Sequence, residues 1–365
     1  MADNVQFQSD QKQPGLVRVL VVDDSAFMRF AITQQLNEDP ELRVVGSAND
    51  GKEALKLIPV LQPDVITLDV EMPHMDGLST LREIMKKFPR PVIMFSSLTK
   101  EGAAETIQAL MLGAVDFIAK PDNRLDIRAA MAEMSDKIKI AAKAKVKSVP
   151  AAFLTPATLA RADAPEKPVR VYRKTTPVIF IGSSTGGPGA LNELIPALPA
   201  NLQSPVLIVQ HMPAGFTRTL ADRLNTISPL KVKEAEPGDM LMVGQVLVAP
   251  GGFHLTFDEN ERVALNQKPA VHGVRPAVDV TLNSLIQHFG KNVIAVILTG
   301  MGSDGTHGAS ILHSLGGYVI AEHESTCVVW GMPRSVAEAG AANAVLPRPQ
   351  IARAIERLVR DMPSE

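Results

Sequence analysis

The chain has 365 residues, 45% of them hydrophobic and 21% charged, with a formal net charge of -2; this exceeds one ordinary core and predicts two globular domains. No run of about 18 apolar residues occurs, and the N-terminus MADNVQFQSDQKQPG has no apolar core, so neither membrane insertion nor export is expected. A single cysteine, Cys327, excludes an intramolecular disulfide framework and suits a reducing compartment, which makes the cytoplasm the expected location.

Residues 1–16 form a polar extension before the first predicted strand. From 17 to 140, short apolar or β-branched runs alternate with stretches of helical spacing: VRVLVV (17–22), LRVVGSA (42–48), DVITLDV (64–70), PVIMFSS (91–97) and DFIA (116–119). A helix over 25–37 is predicted from Met28, Ala31, Ile32 and Leu36. Such alternation predicts βαβ units and a parallel sheet, in which chemistry collects at the carboxyl ends of the strands. Those ends carry Asp23 and Asp24, then Asp69, then Ser96 and Ser97, then Lys120 before Pro121. Clustered carboxylates repel one another and favour a hard divalent cation, Mg²⁺ above all. With Mg²⁺ and Lys120 offsetting charge, one carboxylate can attack a phosphoryl group, and Asp69 is the expected acceptor.

In VVDDS, ITLDVEMPHMDG, MFSS and DFIAKP the stretch resembles the receiver domain of bacterial two-component response regulators. The resemblance implies a five-stranded doubly wound fold of order 2-1-3-4-5, phosphorylation of Asp69 by a histidine kinase, and Mg²⁺ held by Asp23, Asp24 and Asp69. It also implies a switch involving Ser96, Phe117 and Lys120: the phosphoryl group draws the hydroxyl inward and frees space for the aromatic ring to turn in. Asp76 and Gly77 read as turn residues.

Residues 141–176 carry a net charge of +6 between segments of -5 and -3, and include Pro150, Pro156, Pro165 and Pro168, so they read as a basic linker. The alternation resumes at 177–365 with PVIFIG (177–182), PVLIVQH (205–211), QVLVAP (245–250), NVIAVILTG (292–300) and GYVIAE (317–322). HLTFDENERVALN predicts a hairpin turning near Asp258 to Asn260. A second doubly wound, mostly parallel α/β domain with an antiparallel hairpin is therefore expected.

Here FIGSSTGGPGA contains G-x-S-x-G between a predicted strand and a predicted helix, the setting of a nucleophile elbow. Neither the dinucleotide fingerprint nor the Walker loop is present. A serine nucleophile needs a base and a group to orient that base. Strand ends nominate His211 in IVQHMP and Asp304 in LTGMGSDG as partners of Ser184, with His272 and His307 as further loop histidines. No His/Cys grouping has the spacing of a zinc site.

IGSSTGGPGAL, QHMPAGFT, APGGFHL, HGVRPAVDV and LTGMGSDGTHGA resemble the catalytic domain of chemotaxis protein-glutamate methylesterases, and the receiver in front matches that family's domain order. The resemblance implies Ser184 as nucleophile, His211 as general base and Asp304 as orienting acid, with Thr185 and the Met301 backbone near the oxyanion. It further implies hydrolysis of glutamate γ-methyl esters on chemoreceptors, deamidation of specific receptor glutamines, and no cofactor for the hydrolysis; the expected regulation is by uncovering, the unmodified receiver covering the catalytic loops and phosphorylation at Asp69 loosening that interface. Ser183 stands where alanine or another small residue is expected; Ser184 fits both the G-x-S-x-G centre and the family motif and Ser183 fits neither, so Ser184 is the expected nucleophile. Two other classes fit less well. A DNA-binding output lacks a basic recognition helix, so no nucleic-acid partner is expected, and a nucleotide-binding module lacks its glycine fingerprint.

Overall fold

The computed structural model describes residues 15–97, 99–120, 127–144, 146, 167–172, 174 and 176–361. The N-terminal extension and most of the linker lie outside the described residues.

The N-terminal half builds a five-stranded parallel sheet from β1 (Val17–Val22), β2 (Leu42–Ala48), β3 (Val65–Asp69), β4 (Val92–Ser96) and β5 (Asp116–Ala119), in the order β2-β1-β3-β4-β5. Alternate residues of β1 point to opposite faces, and both faces are covered: Leu20 and Val22 pack on one side, Val19 and Val21 on the other. A strand so enclosed reads as an unbroken apolar run, which is why VRVLVV was legible.

Helices α1 (Ala26–Glu38), α2 (Gly51–Leu61), α3 (Gly77–Lys87), α4 (Lys100–Met111) and α5 (Ile127–Ala141) supply the crossovers. The side chains of Ser25, Asp50, Asp76 and Thr99 cap the first four by accepting from backbone N–H groups. Asp76 is thus a helix cap, and Gly77 is required beside it: a Cβ there would stand 2.1 Å from the Asp69 carbonyl oxygen.

The C-terminal half is a seven-stranded parallel sheet in the order β16-β15-β14-β7-β8-β11-β9. Its strands are β7 (Val178–Ser183), β8 (Val206–Gln210), β9 (Lys231–Glu234), β11 (Gln245–Val248), β14 (Val293–Ile297), β15 (Tyr318–Glu322) and β16 (Ala344–Leu346). The edge strands β9 and β16 go beyond the predicted set; they are short, and a single buried face on β9 leaves KVKE with too little apolar signal. The expected hairpin is present as β12 (His254–Phe257) and β13 (Val263–Asn266), and β6 (Arg170–Val171) pairs antiparallel with β10 (Met242–Val243).

Helices α6 (Gly187–Ala197), α7 (Phe216–Ile227) and α11 (Arg348–Asp361) bury apolar residues on one side of this sheet, and α8 (Val278–Phe289), α9 (Thr306–Ser314) and α10 (Met332–Glu338) on the other. The first strand of the domain, β7, lies between β8 and β14, so the connections run outward in both directions from it. That reversal opens a crevice at the carboxyl ends of these strands.

The two halves share apolar packing. Ile107 and Leu110 of α4 belong to the same buried cluster as Leu191 of α6 and Leu220 of α7, and the Phe117 ring stacks on Phe216 with centroids 4.6 Å apart. No described helix is long and apolar enough to cross a membrane.

Candidate functional sites

At the carboxyl edge of the first sheet, β1 delivers Asp23 and Asp24 and β3 delivers Asp69, whose carboxylate oxygens come within 4.8 Å of one another. Lys120, following β5, donates to Asp69 Oδ2 at 2.7 Å. Asp23 and Asp69 are each only 1% exposed. Burial pushes the Asp69 carboxyl up to about 6, more than Lys120 offsets, and burial raises Asp23 as well. Asp23 Oδ2 is buried with no hydrogen-bond partner. An orphaned acceptor beside two further carboxylates fits a hard divalent cation, which would favour their ionised forms. The Ser96 hydroxyl is turned toward α4, donating to the Gly102 carbonyl at 3.2 Å.

The second site grows from the turn between β7 and α6. Ser183 is the last strand residue, Ser184 and Thr185 form the bend, and Gly186 takes φ +76°, where a Cβ would also stand 2.6 Å from Val328 Cβ. The positive-φ residue of this elbow is therefore Gly186 and not the serine. Ser183 is fully buried and its hydroxyl donates to Gln210 Oε1 at 2.7 Å. Ser184 is only partly buried, and Gln210 Nε2 donates to its carbonyl at 3.0 Å, tying the elbow to the end of β8.

His211 directly follows β8, and its Nε2 lies 2.8 Å from Asp304 Oδ2. Asp304 also accepts from the backbone N–H groups of Val278 at 2.7 Å and Asp279 at 2.9 Å. Helix α8 has no side-chain cap of its own, so Asp304 caps it from the β14–α9 loop and lies at the positive end of its dipole. Burial alone would raise the Asp304 carboxyl, but the His211 hydrogen bond and charge, together with these two N–H groups, hold it below its usual value.

Ser184, His211 and Asp304 line one cavity of about 760 Å³, together with Thr185 and Met301. With Nε2 engaged by Asp304, Nδ1 is the ring nitrogen left for a serine proton; among the described residues Ser184 Oγ makes no hydrogen bond to His211. The loop facing Ser184 is closely fitted: a Cβ on Gly300 would meet Ser184 Cβ at 2.7 Å. Thr299 donates its hydroxyl to the Thr185 carbonyl at 3.0 Å, and its own N–H is held at 2.8 Å by Glu322, a wholly buried carboxylate paired with Arg348.

Two features of this cavity escaped the sequence. His272 Nε2 lies 3.2 Å from Asp279 Oδ2, making a second His–Asp pair next to the first. His272 sits at φ +53° in a turn closed by reciprocal Val271–Val274 hydrogen bonds, a conformation few residues other than glycine adopt. HGVRPAVDV was the motif that could have drawn attention to it, whereas the pairing itself depends on the fold. The receiver, expected to cover the catalytic loops, walls this cavity through Asp116, Phe117 and Lys137. Finally, Thr185, expected near an oxyanion, donates its hydroxyl to Asp116 Oδ2 at 2.5 Å.

Comparison with known proteins adds independent findings. Residues 179–355 match the family described as CheB methylesterase, and residues 19–132 match the response regulator receiver domain. A protein-glutamate methylesterase/protein-glutamine glutaminase of Symbiobacterium thermophilum is 52% identical over 351 residues, covering 94% of this chain and 97% of that protein. A protein of the same description from Thermotoga maritima is 46% identical over 349 residues, covering 94% and 99%. The crystal structure of the Thermotoga maritima CheB methylesterase catalytic domain is 49% identical, covers 50% of this chain and 99% of that one, and superposes with a TM-score of 0.49.

Proposed function

The chain belongs to the CheB methylesterase family, and from that premise we propose that it is a phosphorylation-activated hydrolase that demethylates glutamate γ-methyl esters on chemoreceptors, releasing methanol, and deamidates specific receptor glutamines. The observation that carries this reading is the cavity into which Ser184, the His211–Asp304 pair and a wall of receiver residues all face.

In this reading Ser184 Oγ attacks the γ-carbonyl carbon while His211 Nδ1 takes its proton. The tetrahedral intermediate collapses, the C–O bond to methoxide breaks, and the imidazolium returns the proton to give methanol. Water activated by the same histidine then cleaves the glutamyl–serine ester. Asp304 keeps the ring oriented and stabilises its charged form. The amino-terminal end of α6, with Thr185 and the Met301 backbone, offers donors to the developing oxyanion; one such donor is worth roughly 3 kcal/mol. General-base action contributes about 10² to 10⁴ in rate.

The receiver half would take its phosphoryl group on Asp69 from a chemotaxis histidine kinase in the cytoplasm. When bound, Mg²⁺ supplies charge neutralisation; Asp23, Asp24 and Asp69 would hold it, and Lys120 would steady the phosphoryl oxygens. Uncovering the second site is the proposed output. Methanol release from methylated receptor membranes tests the whole reading. Ser184→Ala should lose at least ~10³-fold, and Asp69→Asn should lose stimulation by a phosphodonor while keeping the basal rate. A fully active Ser184→Ala chain rejects the nucleophile.

A further inference from the structure

The Thr185–Asp116 contact has a chemistry of its own. Asp116, the first residue of β5, places its carboxylate against the hydroxyl next to the nucleophile: Oδ2 accepts from Thr185 at 2.5 Å, while Oδ1 accepts from its neighbour Phe117 N–H at 2.7 Å and from Lys137 Nζ at 3.3 Å. The side chain is only 13% exposed and lines the same cavity as Ser184 and His211. Lys137 is anchored in turn by Glu133 at 2.8 Å and the Phe117 carbonyl at 2.6 Å, so the carboxylate is held from its own domain and presented to the other.

A hydrolase acting on glutamyl esters or glutamine ends its cycle with a side-chain carboxylate beside this hydroxyl. Aspartate carries the same group on a stem one methylene shorter. We propose that the Thr185 hydroxyl marks the subsite for the product glutamyl carboxylate, and that Asp116 occupies this subsite as a built-in stand-in for the product. The proposal rests on the hydrolase reading and adds the identity of what fills the closed site.

An ionised carboxylate is a stronger acceptor for a hydroxyl than the neutral ester or amide oxygen of a substrate. Asp116 therefore competes better for Thr185 than either substrate does, and a product carboxylate competes on equal chemical terms. Glu133 and Asp136 of α5 share the cavity wall with His272 and Arg275, so acidic groups from the receiver meet basic groups from the catalytic half around the same opening. A contact that merely fastens two domains together needs no carboxylate at this position; a product mimic does.

The test uses the full-length chain and methanol release from methylated receptor membranes, with N-acetylglutamate α-amide and the nearly isosteric N-acetylglutamine α-amide as probes. Unphosphorylated Asp116→Asn should run about 10- to 100-fold faster than the unphosphorylated wild type, the scale of a charge-assisted hydrogen bond. The glutamate analogue should inhibit it competitively, at least tenfold more tightly than the glutamine analogue. The same preference should be seen in wild-type chain treated with a phosphodonor, which keeps the test decisive if Asp116→Asn is unstable. An unchanged basal rate in a folded, phosphodonor-responsive Asp116→Asn chain overturns the proposal, and so does equal inhibition by the two analogues. Failure of every chain to release methanol, phosphodonor included, overturns the hydrolase reading first and this inference with it.

Discussion

Ser183 and Ser184 are chemically identical neighbours, the first the last residue of β7 and the second the start of the turn that follows it. The first faces inward, fully buried, with its hydroxyl spent on Gln210; the second opens to the cavity shared with His211. Replacing Ser183 by alanine leaves the Gln210 carbonyl oxygen without its buried donor, a cost of about 1–3 kcal/mol. We expect Ser183→Ala to lower the melting temperature while phosphodonor-stimulated methanol release stays within about threefold of wild type; a loss on the scale of Ser184→Ala would transfer the nucleophile role to Ser183. The motif G-x-S-x-G already singled out Ser184, because its spacing encodes which residue lies at the top of the turn. Asp116 had no such signal, since its partner Thr185 is 69 residues away on another domain.

At the scale of elements, two chemistries are built by one device, parallel strands ending in polar residues at a common edge. Runs buried on both faces were legible, as were the loops that follow them. Edge strands β9 and β16 were not, because their pairing is decided by neighbours and not by their own short sequences. The acidic edge of the receiver yields a pH prediction. Asp69 is raised to about 6 in the fold, above the ordinary carboxylate value near 4. Its contribution to stability is thus most favourable below that ordinary value and is lost as pH rises through about 6, where a buried charge must be carried. A bound cation compensates that charge. Mg²⁺ should therefore raise the melting temperature of the chain more at pH ~7.5 than at pH ~5, measured against a chelator control; an equal gain at both would remove Asp69 from the cation site.

For the whole molecule, the informative feature is where the receiver sits. Phe117, expected as a switch residue from the resemblance to receiver domains, is stacked on Phe216 of the catalytic half, and the adjacent Asp116 reaches Thr185. One strand start therefore touches the catalytic cavity twice, once through an apolar ring and once through a charge. Truncating the ring removes a stacked pair worth roughly 0.5–1.5 kcal/mol beyond its buried area. We expect Phe117→Ala to raise the unphosphorylated rate several-fold and to shrink the ratio of stimulated to basal rate; a ratio equal to that of the wild type would show that the ring does not couple the halves.

The sequence by itself determined the strands enclosed by apolar neighbours, the carboxylates and hydroxyls at their ends, and a serine poised between strand and helix. These follow from local rules: β-branched runs favour extended chain, glycine permits the tight bend, and a parallel sheet gathers its strand ends on one side. Only the tertiary structure decided that the Ser183 hydroxyl is spent on Gln210, which ring nitrogen of His211 Asp304 engages, that His272 joins Asp279, and that a receiver carboxylate rests on Thr185. Each of those outcomes depends on distances of a few ångströms between segments far apart in the chain, and such distances are set by how the layers pack.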